Sequence, residues 1–390
     1  MNLITLTLAT SVGLGGCGTD DVSVTAELHP LDTAILFPLP ERMESDHLLR
    51  TDDAGAHGAL LPDHAVAQLP ALGSTRNAEL VPRLRLVAAN VDPCFPSGKE
   101  GAVDAQGASL CRPQLRYIFQ PLVEQNGTVT TEDVTVHTFY EMDRATFVEL
   151  VADLRAARTE ELADDEPIDV HPILRAQGPE GPYAKALETV MLDYAGAANL
   201  VKVTFIGLRG GGIGWQMGGV DFDGMTPTDM VVPETSVTRQ ELVNNATSGE
   251  LDAAVDPETR FSTSMVPLLD SAAARASTDA ELRQAFRNAL EIDNPATDLN
   301  PDTVDCASCH LATPARSWAE RNLGFVAAEY EEAYSHPRWN LESRSQTKAN
   351  TQSMRCFGYF GRDVAISHRT INEAAAVADA INHAYLGGTP

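Results

Sequence analysis

Apolar and polar residues follow a mixed strand and helix pattern over about residues 80–260. Residues 115–120 and 134–140 are rich in β-branched and aromatic side chains, and the dipeptide Asn126-Gly127 stands between them. This arrangement predicts two antiparallel strands with a turn between them. Residues 144–158 then carry apolar side chains at helical spacing, which predicts a helix. Strands and helices that do not alternate regularly predict an α+β fold.

The pattern becomes helical from about residue 261. The sequence Thr278-Asp279-Ala280-Glu281 is a capping box, and an apolar stripe follows it at helical spacing. A second capping box, Thr370-Ile371-Asn372-Glu373, predicts the last helix. We therefore expect an α+β domain of unknown role over residues 81–260, followed by an all-α domain over residues 261–390.

The N-terminus predicts export. Residues 3–14 form a mostly apolar run that is too short to span a bilayer, and Gly15-Gly16-Cys17 follows it. We predict a signal peptide over residues 1–17, then a tether and an irregular lead-in over residues 18–80. Two small residues before a cysteine resemble the lipobox of bacterial lipoproteins. The resemblance implies that Cys17 is acylated and anchors the chain in the periplasm or at the cell surface. The alternatives are an ordinary signal peptide and a buried strand with a chance cysteine.

The net charge of the chain argues against a nucleic-acid partner. The chain of 390 residues has 28 basic and 55 acidic residues, so its formal net charge is −27. Such a chain repels phosphate backbones, so we expect no nucleic-acid partner. Beyond Cys17 no run of apolar residues reaches transmembrane length. We therefore expect contact with a membrane only through the lipid on that residue.

The other cysteines need separate explanations in an exported protein, because oxidising compartments favour disulfides. Cys94 and Cys111 flank a loop rich in Gly, Ser and Ala, and each stands beside a strand-like segment. We expect these two residues to form a disulfide that constrains the unfolded chain. Cys356 is left over, and the usual interpretation of such a thiol is a buried, unreactive side chain.

The sequence Cys306-Ala307-Ser308-Cys309-His310 carries the most specific chemistry in the chain. On a helix, Cys306, Cys309 and His310 project from one face, because residues three and four apart are neighbours there. Attachment of haem c requires this arrangement, since the thiols bind the vinyl groups along one haem edge while the imidazole reaches the iron. The alternatives are a structural zinc site with a further ligand and a disulfide between the two cysteines.

With this motif, the chain over about residues 278–390 resembles the c-type cytochromes, so the all-α domain is expected to be cytochrome c-like. The resemblance implies one covalently bound haem c, with Met354 as the sixth ligand of its iron and a C-terminal helix packed across an earlier one. His368 is the strongest rival of Met354 for the sixth position. A thioether there would give a higher reduction potential than a second imidazole.

These features together predict electron transfer by an exported lipoprotein with one haem, because an iron with both axial positions filled is closed to substrate. The sequence does not identify the redox partner protein. Two other functions stay open. One is a haem enzyme of the peroxidase type, whose sixth position is open or easily vacated. The other is a surface binding or scaffolding lipoprotein in which the haem is structural or absent.

Overall fold

The structure, a computed structural model, describes most of the chain beyond the N-terminus. The described ranges are residues 27–72, 77–96, 111–158, 160–208, 214–246, 249–342 and 354–386. The predicted signal peptide and Cys17 lie outside these ranges, so the lipidation of Cys17 stays a prediction. Among the described helices, none is both long enough and apolar enough to cross a membrane.

Antiparallel strands form one large sheet at the centre of the described chain. In chain order the strands are β1 (Ala34–Leu36), β2 (Ala54–Gly55), β3 (Gly58–Ala59), β4 (Leu84–Pro96), β5 (Cys111–Gln125), β6 (Thr128–Thr131), β7 (Val134–Glu141), β8 (Leu200–Leu208), β9 (Gly214–Asp223), β10 (Thr226–Asp229), β11 (Arg239–Asn244), β12 (Ala253–Asp256), β13 (Phe357–Phe360) and β14 (Asp363–Ile366). The order across the sheet is β1-β4-β5-β7-β8-β9-β11-β12, with β6 paired to β5 and β10 paired to β9. The pairs β2–β3 and β13–β14 form two small separate sheets.

Helices cover both faces of this sheet. In chain order they are α1 (Pro30–Thr33), α2 (Asp63–Val66), α3 (Asn77–Leu80), α4 (Arg144–Ala157), α5 (Pro172–Gln177), α6 (Pro182–Tyr194), α7 (Arg260–Leu269), α8 (Ser271–Ala276), α9 (Asp279–Asp293), α10 (Cys306–Leu323) and α11 (His368–Ala384). Tyr117 and Phe119 of β5 pack in one core with Phe147 of α4, whereas Ile118 packs in another core with Ile371 of α11. Consecutive residues of a strand point to opposite faces, so the first turns of α11 lie on the side of the sheet opposite α4. The end of α11 reaches α4, because Arg144 of α4 donates a hydrogen bond of 3.3 Å to the Ala384 carbonyl.

The C-terminal helices share a core with the sheet. Ile206 of β8, Met217 of β9 and Leu242 of β11 pack with Phe286 of α9 and Trp318 of α10. On β8, Ile206 belongs to this core, whereas the preceding residue belongs to the core shared with α4 and α6. The motif helix α10 therefore lies on one face of the sheet, and α4 and α6 lie on the other.

Several predicted elements are confirmed. Strands β5 and β7 pair antiparallel, and α4 begins after the N-cap Asp143, whose side chain accepts a hydrogen bond from Thr146 N. The Asn126-Gly127 turn joins β5 to β6 rather than to β7. Both of its residues have positive φ angles, 55° and 77°, as a two-residue hairpin turn requires.

The prediction of an all-α, cytochrome c-like domain over residues 261–390 is wrong. Strands β13 and β14 form a hairpin, and β13 packs against β4 and β5 of the large sheet. Their aromatic and β-branched side chains favour strands, and Gly361 has the positive φ angle that a tight hairpin turn requires, 64°. The fold is a large, mostly antiparallel sheet with helices on both faces, rather than an α+β domain followed by an all-α domain.

The predicted irregular lead-in over residues 18–80 also contributes to the sheet. Its residues Ala34–Leu36 form β1, which pairs with β4. The preceding helix α1 packs against α11. A hydrogen bond of 2.7 Å from Leu28 N to Asn382 Oδ1 joins the beginning of the described chain to its last helix. The two ends of the described chain are thereby held next to each other.

Candidate functional site

The motif cysteines and histidine lie on the first turns of α10, which begins at Cys306. Asp305 is the N-cap residue, and its Oδ2 atom accepts a hydrogen bond of 3.0 Å from Ser308 N. Residues three and four apart share a helix face. The structure accordingly brings the two thiols and the imidazole together, and Cys306, Cys309 and His310 line one cavity.

A buried hydrogen-bond network ties the start of α10 to the sheet and to α7. Gln240 of β11 donates from Nε2 to Asp305 Oδ2 at 2.8 Å, and its Oε1 accepts from Ala307 N at 2.8 Å. Thr259, the N-cap of α7, donates from Oγ1 to Asp305 Oδ1 at 2.6 Å. These bonds fix the direction in which the thiols point relative to the sheet.

A cavity that opens to solvent lies between α10 and the sheet. Its apolar floor comes from β5, β7, β8 and β9, through the side chains of Ile118, Phe139, Ile206 and Met217. A flat, apolar molecule held by α10 would therefore lie against the sheet.

Basic side chains also line the cavity, namely Arg116, Lys202 and Arg369. Lys202 Nζ lies 3.4 Å from Asp302 Oδ1, and Arg369 donates from Nη1 to the backbone carbonyl of Leu299 at 2.9 Å. The side chains of Lys202 and Arg369 are mostly buried. Partly buried cations of this kind form strong, charge-assisted hydrogen bonds with carboxylate groups of a ligand.

The protein engages one ring nitrogen of His310. The Nδ1 atom makes a short hydrogen bond with the backbone carbonyl of Met354 and lies 3.4 Å from Cys356 Sγ. Burial lowers the pKa of His310, which favours the neutral imidazole. A carbonyl acceptor at Nδ1 keeps the ring proton on that atom, so Nε2 is the ring atom that can bind a metal.

The environment of the two motif thiols keeps them protonated. Burial and, second to it, the neighbouring Asp305 carboxylate raise the pKa of the Cys306 thiol to about 12. A hydrogen bond with the Cys356 thiol, together with burial, raises the pKa of Cys309 well above its usual value. Cys306, Cys309 and Cys356 are free thiols. Because a redox-active pair needs a lowered pKa, this environment does not favour a thioredoxin-like function.

The structure does not bring either predicted candidate for the sixth ligand to the cavity. The side chain of Met354 is buried in the core that α7, α9 and α10 share. His368 begins α11, where its backbone N–H donates to Thr313 Oγ1 at 2.9 Å and its side chain is buried. Neither side chain is among the described residues that line the cavity.

Sequence analysis missed the positions of His137 and Cys356. His137 of β7 lines the cavity from the sheet, and its Nδ1 atom lies 3.1 Å from Thr204 Oγ1. Cys356 contacts Cys309 and His310. No local pattern marks His137, because it is one residue in an ordinary strand sequence. Its position opposite the motif arises from the long-range packing of α10 on the sheet.

The predicted disulfide between Cys94 and Cys111 lies partly outside the described residues. Cys94 is disulfide-bonded, whereas the side chain of Cys111 is not described. The register of β4 and β5 places Cys111 opposite Pro96, close to Cys94 along the strand. The pairing of Cys94 with Cys111 stays a prediction, which this register supports.

The residues at the cavity fit a covalently bound haem. One helix face supplies two thiols and an imidazole, the sheet supplies an apolar floor, and basic side chains can pair with carboxylates such as propionates. Among the described residues, no group of three or more His, Cys, Asp or Glu is placed to hold a metal ion. A haem iron does not need one, because the porphyrin supplies its equatorial ligands and the protein supplies axial ones. In comparisons with known proteins, no protein family matches the sequence, and no curated protein and no solved structure matches the chain.

Proposed function

We propose that this chain binds one haem c through Cys306 and Cys309, with His310 as an axial ligand of the iron, and that it transfers electrons. The observation that carries the proposal is the placement of both thiols and the imidazole on one wall of a cavity whose other wall is an apolar sheet face. A short stretch of helix supplies the attachment chemistry. The sheet supplies the surface against which a flat, apolar group packs.

Different residues of the site would bind different parts of the haem. Bound haem supplies a one-electron couple between ferric and ferrous iron. His310 would offer Nε2 to the iron, because the Met354 carbonyl holds Nδ1, and this contact would fix the orientation of the ring and raise its basicity. The apolar floor excludes water from one face of the group. Arg116 and Lys202 can pair with its propionates.

We also propose that the protein is exported and is anchored to a membrane by a lipid on Cys17. Export and haem binding support each other, because free thiols in an oxidising compartment form disulfides unless other chemistry occupies them. Cys306 and Cys309 would be occupied by haem in the mature protein. The redox partner would be another protein in the same compartment, the periplasm or the cell surface.

Co-expression with a cytochrome maturation system tests the haem proposal. We expect the purified chain to be coloured and its mass to show one covalent haem. The double variant Cys306→Ser/Cys309→Ser should lose the covalent haem. Cys356→Ser is the matched control, because this thiol contacts Cys309 and His310 but lies outside the motif. The control should keep the covalent haem.

Two other outcomes would contradict the proposal in different ways. A colourless wild-type chain, with the sulfurs of Cys306 and Cys309 joined to each other or bound to zinc, would refute haem binding. A covalent haem with a high-spin spectrum and turnover of peroxide would refute electron transfer and support a haem enzyme. The spectrum and the mass are measured on the same preparation, so these outcomes are distinguishable.

A further inference from the structure

We infer that His137 of β7 is the second axial ligand of the iron, on the side of the haem opposite His310. This inference rests on the proposed function, because it needs a haem attached to α10. His310 lines the cavity from the helix, and His137 lines it from the sheet. A haem that α10 holds against the sheet therefore lies between the two imidazoles.

The two rings are held in similar ways. The Nδ1 atom of His310 bonds to the Met354 carbonyl, and the Nδ1 atom of His137 lies 3.1 Å from Thr204 Oγ1. In each case a protein atom occupies Nδ1, which leaves Nε2 as the ring atom available to the iron. Residues His137 and Thr204 are direct partners in the pairing of β7 with β8, so the sheet itself sets the position of this ring.

The methionines near the site are less suitable ligands. The Met354 carbonyl lies at Nδ1 of His310, so this residue stands behind the ring that would bind the iron. The second ligand must approach from the far side of the haem, where the sheet lies. Met217 and Met230 line the cavity, but Met217 is part of an apolar core, where methionine commonly fills gaps.

Spectroscopy of haem-loaded variants tests this assignment. We expect the wild-type protein to give a low-spin ferric spectrum without the band that marks a bond between sulfur and iron. His137→Ala should become high-spin, and added imidazole should restore the low-spin spectrum. His137→Met should gain the sulfur band and have a higher reduction potential. Met354→Leu and Met217→Leu identify the source of any sulfur band. His368→Ala is the matched control and should leave the spectrum unchanged, because this side chain is not among the described residues that line the cavity.

The covalent haem content of every variant is measured first, which separates the two proposals. A wild-type chain without covalent haem would refute the proposed function and this inference with it. Full haem content in His137→Ala with an unchanged low-spin spectrum would refute the inference alone. A sulfur band in the wild-type spectrum that Met354→Leu or Met217→Leu removes would also refute it. Circular dichroism of His137→Ala and His137→Met establishes that each variant is folded.

Discussion

The substitution Asp305→Ala tests whether the buried network holds the start of α10. The carboxylate accepts hydrogen bonds from Ser308 N, Gln240 Nε2 and Thr259 Oγ1. Loss of an N-cap costs about 1 kcal/mol of stability. Each buried donor left without a partner costs about 1–3 kcal/mol more. Gln240 keeps a second bond, of 3.0 Å, to the Pro257 carbonyl. We therefore expect the free energy of unfolding to fall by about 2–4 kcal/mol.

Urea denaturation of the haem-free chain, followed by circular dichroism, measures this loss. The matched control is Asp302→Ala, which removes a nearby carboxylate whose side chain is 45 % exposed and pairs with Lys202 at 3.4 Å. An exposed ion pair contributes about 0–1 kcal/mol, so the control should change stability little. A loss below about 1 kcal/mol for Asp305→Ala, or an equal loss for both variants, would refute the anchoring role of Asp305.

Asp133→Ala should lower the free energy of unfolding by about 3–5 kcal/mol in urea denaturation, because the guanidinium of Arg355, whose side chain is 2 % exposed, loses its carboxylate partner. A loss below about 1 kcal/mol would contradict this expectation. Cys17→Ser should move the chain from the membrane fraction to the soluble fraction of the cells, and retention in the membrane fraction would contradict lipid anchoring. Cys94→Ser should make Cys111 reactive towards a thiol reagent in the oxidised protein, and equal labelling of Cys111 in the wild-type protein would contradict the predicted disulfide.

Local sequence patterns predicted the elements whose formation depends on short-range order. The strands β5 and β7 and the helix α4 were predictable, because alternation and helical spacing each act over a few residues. The hairpin of β13 and β14 shows where this approach fails. Each of its strands has only four residues, which is too short for alternation of apolar and polar side chains to predict a strand. The glycine at position 361 was the one local feature that could have predicted a hairpin turn there instead of a helix.

The candidate site also has a part that local sequence predicts and a part that depends on long-range packing. The grouping of Cys306, Cys309 and His310 follows from helix geometry, so the sequence alone predicts it. The anchoring of Asp305 to Gln240 does not, because the two residues are 65 positions apart and their contact depends on how α10 packs on β11. A position such as Gln240 looks like an ordinary polar residue of a strand until the packing is known.

The disagreement between the cytochrome-like motif and the fold has a simple physical origin. One face of a helix can carry all the groups that attach a haem, so the motif does not determine the architecture around it. In an all-α, cytochrome c-like domain the second axial ligand follows the motif in the chain, and for this reason the resemblance implied Met354. Here the wall that faces the motif is a sheet whose strands precede it in the chain. If a haem binds as we propose, the pairing of His137 with Thr204 across β7 and β8, rather than the order of residues after the motif, would decide which side chain reaches its iron.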